Sequence, residues 1–266
     1  MGQGKPTVDE LADIAIAAGA AILDVYARNG TATAKADGSP VTEADTRGEE
    51  IILARLAAAL PGIPVVSEEA VARGILPKTG ERFFLVDPLD GTKEFMSRNG
   101  EFTVNIALVE AGSPTIGVVY LPALGTLYCG SGAKASRAEV KAGQVGAPVS
   151  IRARRPQHGL DILASRSHMN AETEAFLQRF KTGHLVQAGS SLKFCRIAEG
   201  TADLYPRLGR TMQWDTAAGD AVLRAAGGRV LTFGGRPLAY GPGGADRFAN
   251  PHFVACGDFD PFGGQP

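Results

Sequence analysis

The sequence has no bilayer-length apolar run, no paired cysteines and almost no charge bias, and each lack removes a class of function. No stretch of 18 apolar residues occurs, so no transmembrane segment is expected. The N-terminus has no basic region leading into an apolar core and a cleavage site, so no secretory leader is expected. Three cysteines, Cys129, Cys195 and Cys256, stand far apart with no CxxC spacing. Neither a disulfide framework nor a zinc site is indicated, and reduced structural thiols in the cytoplasm are the expectation. The four histidines, His158, His168, His184 and His252, form no HExxH pair. A net charge of −1 provides no field for a nucleic acid polymer or an anionic membrane. The short basic cluster Arg152, Arg154, Arg155 reads as a solvated turn. No GxGxxG follows a strand, which removes a dinucleotide-binding Rossmann site, and the glycine-rich start lacks phosphate-loop spacing. Repeats and low-complexity tracts are absent.

What is present is a 266-residue chain, 44% hydrophobic and 21% charged, as in soluble globular proteins. It is long enough for one large domain or two smaller ones. Thr7-Val8-Asp9-Glu10 is a capping box, and Val8, Leu11, Ile14, Ala18, Ile22 and Val25 recur at helical spacing. A first helix is therefore predicted to about Arg28, stopped by Asn29-Gly30. A turn at Asp37-Gly38-Ser39-Pro40 leads to a second helix that opens at Val41-Thr42-Glu43-Ala44-Asp45 and ends at Pro61-Gly62. Residues 63–66 read as a short strand running into Ser67-Glu68-Glu69. Residues 102–109 and 115–121 read as strands joined through Ala111-Gly112-Ser113-Pro114, and 125–130 continue the meander. Residues 131–158 read as surface strands and loops, with a domain boundary near Ser150. Beyond it, strands at 161–164, 184–187, 202–205, 229–233 and 252–256 alternate with helices at 170–180, 191–199 and 214–226. Such alternation after a meander implies an α/β protein of layered sheets and helices, divided at 1–150 and 151–266.

The chain is organised around residues 82–95. Phe83-Phe84-Leu85-Val86 suits a strand buried on both faces. It is expected to stop at Asp87-Pro88-Leu89-Asp90-Gly91-Thr92, because Pro88 has no amide donor and Gly91 permits a tight bend. Two carboxylates at the end of a buried strand are costly unless something positive lies between them. No basic residue occupies this segment, so a hard cation held by carboxylates, a carbonyl such as that of Leu89 and a hydroxyl is one reading. An ordinary solvated turn is the other.

Asp45, Glu68, the Asp87/Asp90 pair and Asp215 all stand at element boundaries, where rigid scaffolds commonly hold catalytic groups. Singly, each has a plain role: Asp45 as a first-turn acid, Asp215 as a helix N-cap. Together they would suit metal-assisted phosphoryl transfer. In that reading Thr92 orients the attacking water and Asp45 accepts its proton, while the amides of Gly91 and Thr92 bind phosphate oxygens.

Asp87-Pro88-Leu89-Asp90-Gly91-Thr92 followed about 125 residues later by Trp214-Asp215-Thr216-Ala217-Ala218-Gly219 resembles the paired signature of the inositol monophosphatase superfamily. These are Mg²⁺-dependent, lithium-sensitive phosphatases, and the similarity spans nearly the whole chain. It implies a fold of alternating α-β-α-β-α layers. The 1–150 part would carry most metal ligands, and 151–266 would add Asp215 and substrate contacts. It further implies two or three Mg²⁺ ions: one on Glu68, Asp87 and the Leu89 carbonyl, a second on Asp87, Asp90 and Asp215, and a third, weaker one placed by Glu68. Asp45 and Thr92 would be the water-activating pair.

Lys93-Glu94-Phe95, residues 98–105, Gly189-Ser190-Ser191-Leu192-Lys193 and Leu204-Tyr205-Pro206-Arg207 resemble the CysQ-type 3′(2′),5′-bisphosphate nucleotidases more than inositol monophosphatases proper. That resemblance implies removal of the 3′-phosphate of 3′-phosphoadenosine 5′-phosphate, with the 5′-phosphosulfate form as a further substrate. Asp90, Gly91, Thr92, Lys93, Ser190, Ser191, Lys193, Arg207 and Asp215 are the expected substrate contacts. For a second phosphate, Lys193 beside two serines at a helix start offers cationic and amide donors, although an isolated Lys193 would read as an exposed helical lysine. An inositol or sugar monophosphatase is the alternative within the same chemistry, and a non-catalytic metal or nucleotide sensor the alternative outside it. The expected state is a cytoplasmic monomer, with peripheral contact at the inner face of the membrane left open.

Overall fold

The computed structural model describes residues 6–28, 32–34, 40–165, 170–243 and 247–263. The expected helix stop at Asn29-Gly30 and turn residues 37–39 lie outside them, as does His168. Helix α1 (Val8–Ala27) starts as the capping box requires: Thr7 Oγ1 accepts from the Glu10 amide, and the Glu10 carboxylate accepts from the Thr7 amide. A ribbon of β1 (Ala32–Ala34) and β2 (Pro40–Thr42) leads into helix α2 (Glu43–Ala59), capped by Thr42.

The chain then builds an eight-stranded sheet from β3 (Val65–Ser67), β4 (Arg82–Asp90), β5 (Thr103–Glu110), β6 (Ser113–Leu121), β7 (Thr126–Ser131), β8 (Lys134–Lys141), β9 (Gln144–Val145) and β10 (Val149–Ser150). Two short helices interrupt it, α3 (Glu68–Ala72) after β3 and α4 (Thr92–Met96) after β4. Strand β3 runs parallel to β4, and the others pair antiparallel. Successive side chains of a strand point to opposite faces, and the central strands are apolar on both. Phe84, Val86, Ile106, Leu108, Val118 and Tyr120 pack in the core beneath α1 and α2. Phe83, Leu85, Ala107, Val109, Val119 and Leu121 join the opposite core.

That opposite core is roofed by α6 (Leu192–Ala198) and α7 (Gln213–Ala225). Helix α7 lies close to the sheet because β6 and β7 carry glycine beneath it. A Cβ at Gly117 would sit 2.4 Å from the Ala218 carbonyl oxygen, and one at Gly130 would sit 2.5 Å from Val222 Cα.

Beyond these helices lies a five-stranded sheet in the order β12-β11-β13-β15-β14, made of β11 (Leu160–Ser165), β12 (Thr182–Ala188), β13 (Leu204–Arg207), β14 (Arg229–Thr232) and β15 (Phe253–Cys256). Helix α5 (Ala171–Leu177) covers its far face, with Phe176 against Leu160, Ile162, Leu204 and Val254. The succession of α1/α2, sheet, α6/α7, sheet and α5 is the α-β-α-β-α layering expected. No helix among the described residues is long and apolar enough to cross a membrane. All three cysteines are free and buried.

Several local expectations are corrected. Strand β4 does not stop at Pro88. Pairing continues from Asp87↔Asn105 to Asp90↔Thr103, with Pro88 and Leu89 bulged between, where a missing amide donor costs nothing. The β5–β6 connection is Ala111-Gly112 alone, both at positive φ (49° and 76°), and Ser113-Pro114 already belong to β6. Helix α5 ends at Leu177, and β13 is shifted to include Pro206 and Arg207. Arg154 is no solvated turn residue: its guanidinium binds both Asp203 oxygens and Asp161.

Candidate active site

The β3–β4 register sets Ser67 opposite Val86, so the next residue on each strand, Glu68 and Asp87, leaves the sheet side by side. The β4 bulge holds Asp87 in place, because its Oδ1 accepts from the Leu89 amide at 3.0 Å. Leu89 buries its side chain in the core under α1 and α2, leaving only its carbonyl to offer to a ligand. Gly91 turns the chain at φ 94°, a conformation glycine adopts without strain, and α4 starts at Thr92. The third acid comes from the other sheet's side of the molecule. Asp215 is not the N-cap of α7 but its third residue, and its Oδ2 accepts from the Met212 amide at 2.9 Å.

Carboxylate oxygens of Glu68, Asp87 and Asp215 all lie within 4.8 Å of one another. Oxygens bound to one octahedral Mg²⁺ at about 2.1 Å sit roughly 3–4 Å apart, so the three fit a single cation with little contraction. Their electrostatics fit it as well. Burial, then the charges of Asp90 and Glu68, push the Asp215 carboxyl well above the usual range. Burial also raises Asp90, opposed by the Lys193 ammonium. Acids brought together at such cost suit a hard cation, which would add positive charge among them.

An open cleft of about 260 Å³ is lined by charges of both signs, with Glu68, Asp90 and Asp215 alongside Lys193, Arg207 and Arg210, and with Gly91, Thr92, Lys93 and Ser190 in the same wall. Lys193 is buried rather than exposed. Its Nζ donates to the Ser190 carbonyl at 2.8 Å and lies 5.1 Å from the centre of the Tyr205 ring. Burial pulls its pKa down to about 8, against the pull of Asp90.

Two expected site residues stand elsewhere. Asp45 does not line the cleft: it is buried, and its Oδ2 accepts from both the amide and the hydroxyl of Thr42 at 2.7 Å. Ser191 is buried behind the cleft wall, its hydroxyl donating to the Asp215 carbonyl at 2.7 Å. Conversely, Glu94, Tyr205, Arg210 and Thr211 line the cleft without having been singled out as site residues. Tyr205 precedes Pro206-Arg207 in a segment already marked, and Arg210 follows three residues after Arg207; apolar and basic neighbours of a marked motif were the only signal available.

The inositol monophosphatase family model matches residues 5–251, nearly the whole chain. The chain belongs to the inositol monophosphatase family. Among curated members, it is 45% identical over 248 residues to the 3′(2′),5′-bisphosphate nucleotidase CysQ of Escherichia coli O157:H7, covering 92% of this chain and 98% of that one. The enzyme of the same name from Haemophilus influenzae is 32% identical, covering 92% and 90%. Among solved structures, CysQ from Bacteroides thetaiotaomicron superposes with a TM-score of 0.78 at 37% identity, over 95% of this chain and 97% of that one. An inositol monophosphatase from Anabaena shares the fold, with a TM-score of 0.71 at 24% identity over 94% and 90%. Inositol monophosphatase family members are metal-dependent, and the cluster of Glu68, Asp87 and Asp215 is an acidic group suited to a metal.

Proposed function

We propose that this protein is a 3′(2′),5′-bisphosphate nucleotidase that hydrolyses the 3′-phosphate of 3′-phosphoadenosine 5′-phosphate to AMP and phosphate, with Mg²⁺ as its metal. The observation that carries this reading is the two-signed cleft. A monophosphate needs only the acidic cluster and its metal, whereas a second phosphate needs direct cationic donors, and Lys193 and Arg207 supply them in the same cleft. The identity with CysQ nucleotidases supports the same reading.

Glu68, Asp87, Asp90, Asp215 and the Leu89 carbonyl are read as holding two or three Mg²⁺ ions. The bound metal supplies a Lewis acid for phosphate oxygens and a water of lowered pKa. The chain's own residues do the rest. Thr92, at the start of α4, orients the water and relays its proton to Asp45, which does not itself line the cleft and is fixed through Thr42. The amides of Gly91 and Thr92 and the ammonium of Lys93 hold the phosphate being cleaved, while Ser190, Lys193 and Arg207 hold the other. The 5′-phosphosulfate form, which carries an anionic group in the same place, is read as a further substrate. We read residues 1–150 as the part bearing most metal ligands and 151–266 as the part closing the site, and the protein as a cytoplasmic monomer.

Phosphate release with Mg²⁺ from 3′-phosphoadenosine 5′-phosphate and from inositol 1-phosphate tests the proposal directly. A strong preference for the nucleotide that Asp87→Asn abolishes is the expected outcome. Preference for inositol 1-phosphate would retain the metal site and overturn the substrate assignment. Turnover of neither, with Mg²⁺ still bound, would make the protein a sensor.

A further inference from the structure

Asn105 is a buried amide on a strand whose neighbours Val104 and Ile106 are core residues with no exposed surface. Burying an amide is costly unless hydrogen bonds repay it, so its partners matter. Nδ2 donates to Ser191 Oγ at 3.1 Å and to Asp90 Oδ2 at 3.4 Å. Asp90 is an acceptor, so the donor end of the amide must face it. Oδ1 meets no hydrogen-bond partner. Half of this amide is thus left unsatisfied while the other half serves two groups at the site.

Ser191 extends the connection. Its amide donates to Asp90 Oδ2 at 2.6 Å, and its hydroxyl, which accepts from Asn105, donates to the Asp215 carbonyl at 2.7 Å. Thr103, one register step away on the same strand, adds a contact to Asp90 Oδ2 at 3.4 Å. Asp90 Oδ2 is therefore saturated by three donors, which reserves Oδ1 for a ligand in the cleft. Asp90 belongs to the large sheet and Asp215 to the helix layer above it. Asn105 and Ser191 tie the two together through one side chain and one residue.

We propose that Asn105, acting through Ser191, is a positioning residue that sets the relative placement of Asp90 and Asp215 and so the affinity of the acidic cluster for its divalent cation. Ser191 is then part of this support and not a substrate contact. The inference rests on the metal-site reading above but not on the identity of the substrate. Outer groups that orient metal ligands are worth about 10–100-fold in metal affinity or activity.

The experiment is calorimetric titration of Mg²⁺ into the substrate-free protein, comparing the parent with Asn105→Leu, Ser191→Ala and the double variant, followed by kinetics on 3′-phosphoadenosine 5′-phosphate. Asn105→Leu is expected to weaken Mg²⁺ binding about tenfold or more and to lower kcat, with KM for the nucleotide changed less than about twofold. Ser191→Ala keeps the backbone donor to Asp90, so a smaller loss in the same sense is expected, and the double variant should fall short of the summed effects. If Asn105→Leu does not fold, Ser191→Ala alone decides, since it removes only a hydroxyl. Unchanged Mg²⁺ affinity in the folded variants, or a loss confined to KM, would overturn the proposal. Failure of the parent to hydrolyse the nucleotide would overturn the substrate assignment and leave the metal titration to be read on its own.

Discussion

Helix α7 carries two aspartates little more than a turn apart, Asp220 buried and Asp215 half-buried, and they have opposite surroundings. Asp220 has no exposed surface and is fully answered by protein groups. Arg224 grips both its oxygens at 2.6 and 2.8 Å, and the Tyr240 hydroxyl donates at 2.9 Å. Asp215 faces the cleft among other acids, Asp90 and Glu68, with the Met212 amide as a donor. Desolvation pushes both carboxyls up, so desolvation alone does not mark a functional acid. The mark is that Asp215's charged neighbours include acids that raise its pKa, where Asp220 has a cation built for it.

That contrast is open to test at several levels. The largest effect is expected at Asp215. Asp215→Asn removes one ligand charge, and losing several kcal/mol of metal-borne transition-state stabilisation lowers kcat/KM by about 10³-fold. The thermal midpoint should hold or rise, because repulsion from Asp90 and Glu68 is relieved. A variant that kept activity would erase the distinction between the two aspartates. Asp220→Asn should do the reverse. It leaves Arg224 uncompensated and is expected to cost about 3 kcal/mol in denaturant unfolding, with turnover of the folded fraction little changed.

A third test concerns the cleft's cationic side chains. Lys193 has a pKa lowered by burial from 10.5 to about 8. It is charged below that value and neutral above it, so KM for the nucleotide should rise as the pH passes about 8, and Lys193→Met should lose that rise. The stability sign is opposite. The folded state binds this proton less tightly than the unfolded one, so the cost of burying the charge is felt below pH 8 and relieved between about 8 and 10.5. The smallest effect is expected at Tyr240→Phe, which deletes one of three donors to Asp220 and should cost about 1 kcal/mol without changing kcat.

Much of this was readable in the residues before any folding. The capping box at Thr7 and Glu10, the two-faced apolar run at residues 83–86 and the paired Asp87-to-Thr92 and Trp214-to-Gly219 motifs depend on local periodicity and on groups close in sequence. Those motifs also carried the family, and they hold Asp87 and Asp215, two of the three clustered acids. Where local reasoning failed, a long-range partner had intervened. Pro88 was read as a strand breaker, yet β5 resumes pairing beyond it because the bulge absorbs the missing donor. Arg154 was read as solvated, yet Asp203, about 50 residues later, binds it.

The sequence by itself determined the layered α/β class and the family, since side-chain type, periodicity and motif order are properties of the chain. Only the tertiary structure decided which buried polar groups serve which task. It seated Glu68 beside Asp87 through the β3–β4 register, turned Ser191 from the cleft toward Asp215, brought the Tyr240 hydroxyl to Asp220 and left Asp215 among acids. These outcomes depend on which distant residues the packing brings within hydrogen-bonding reach. A buried charge takes its energy from those neighbours and not from its place in the chain.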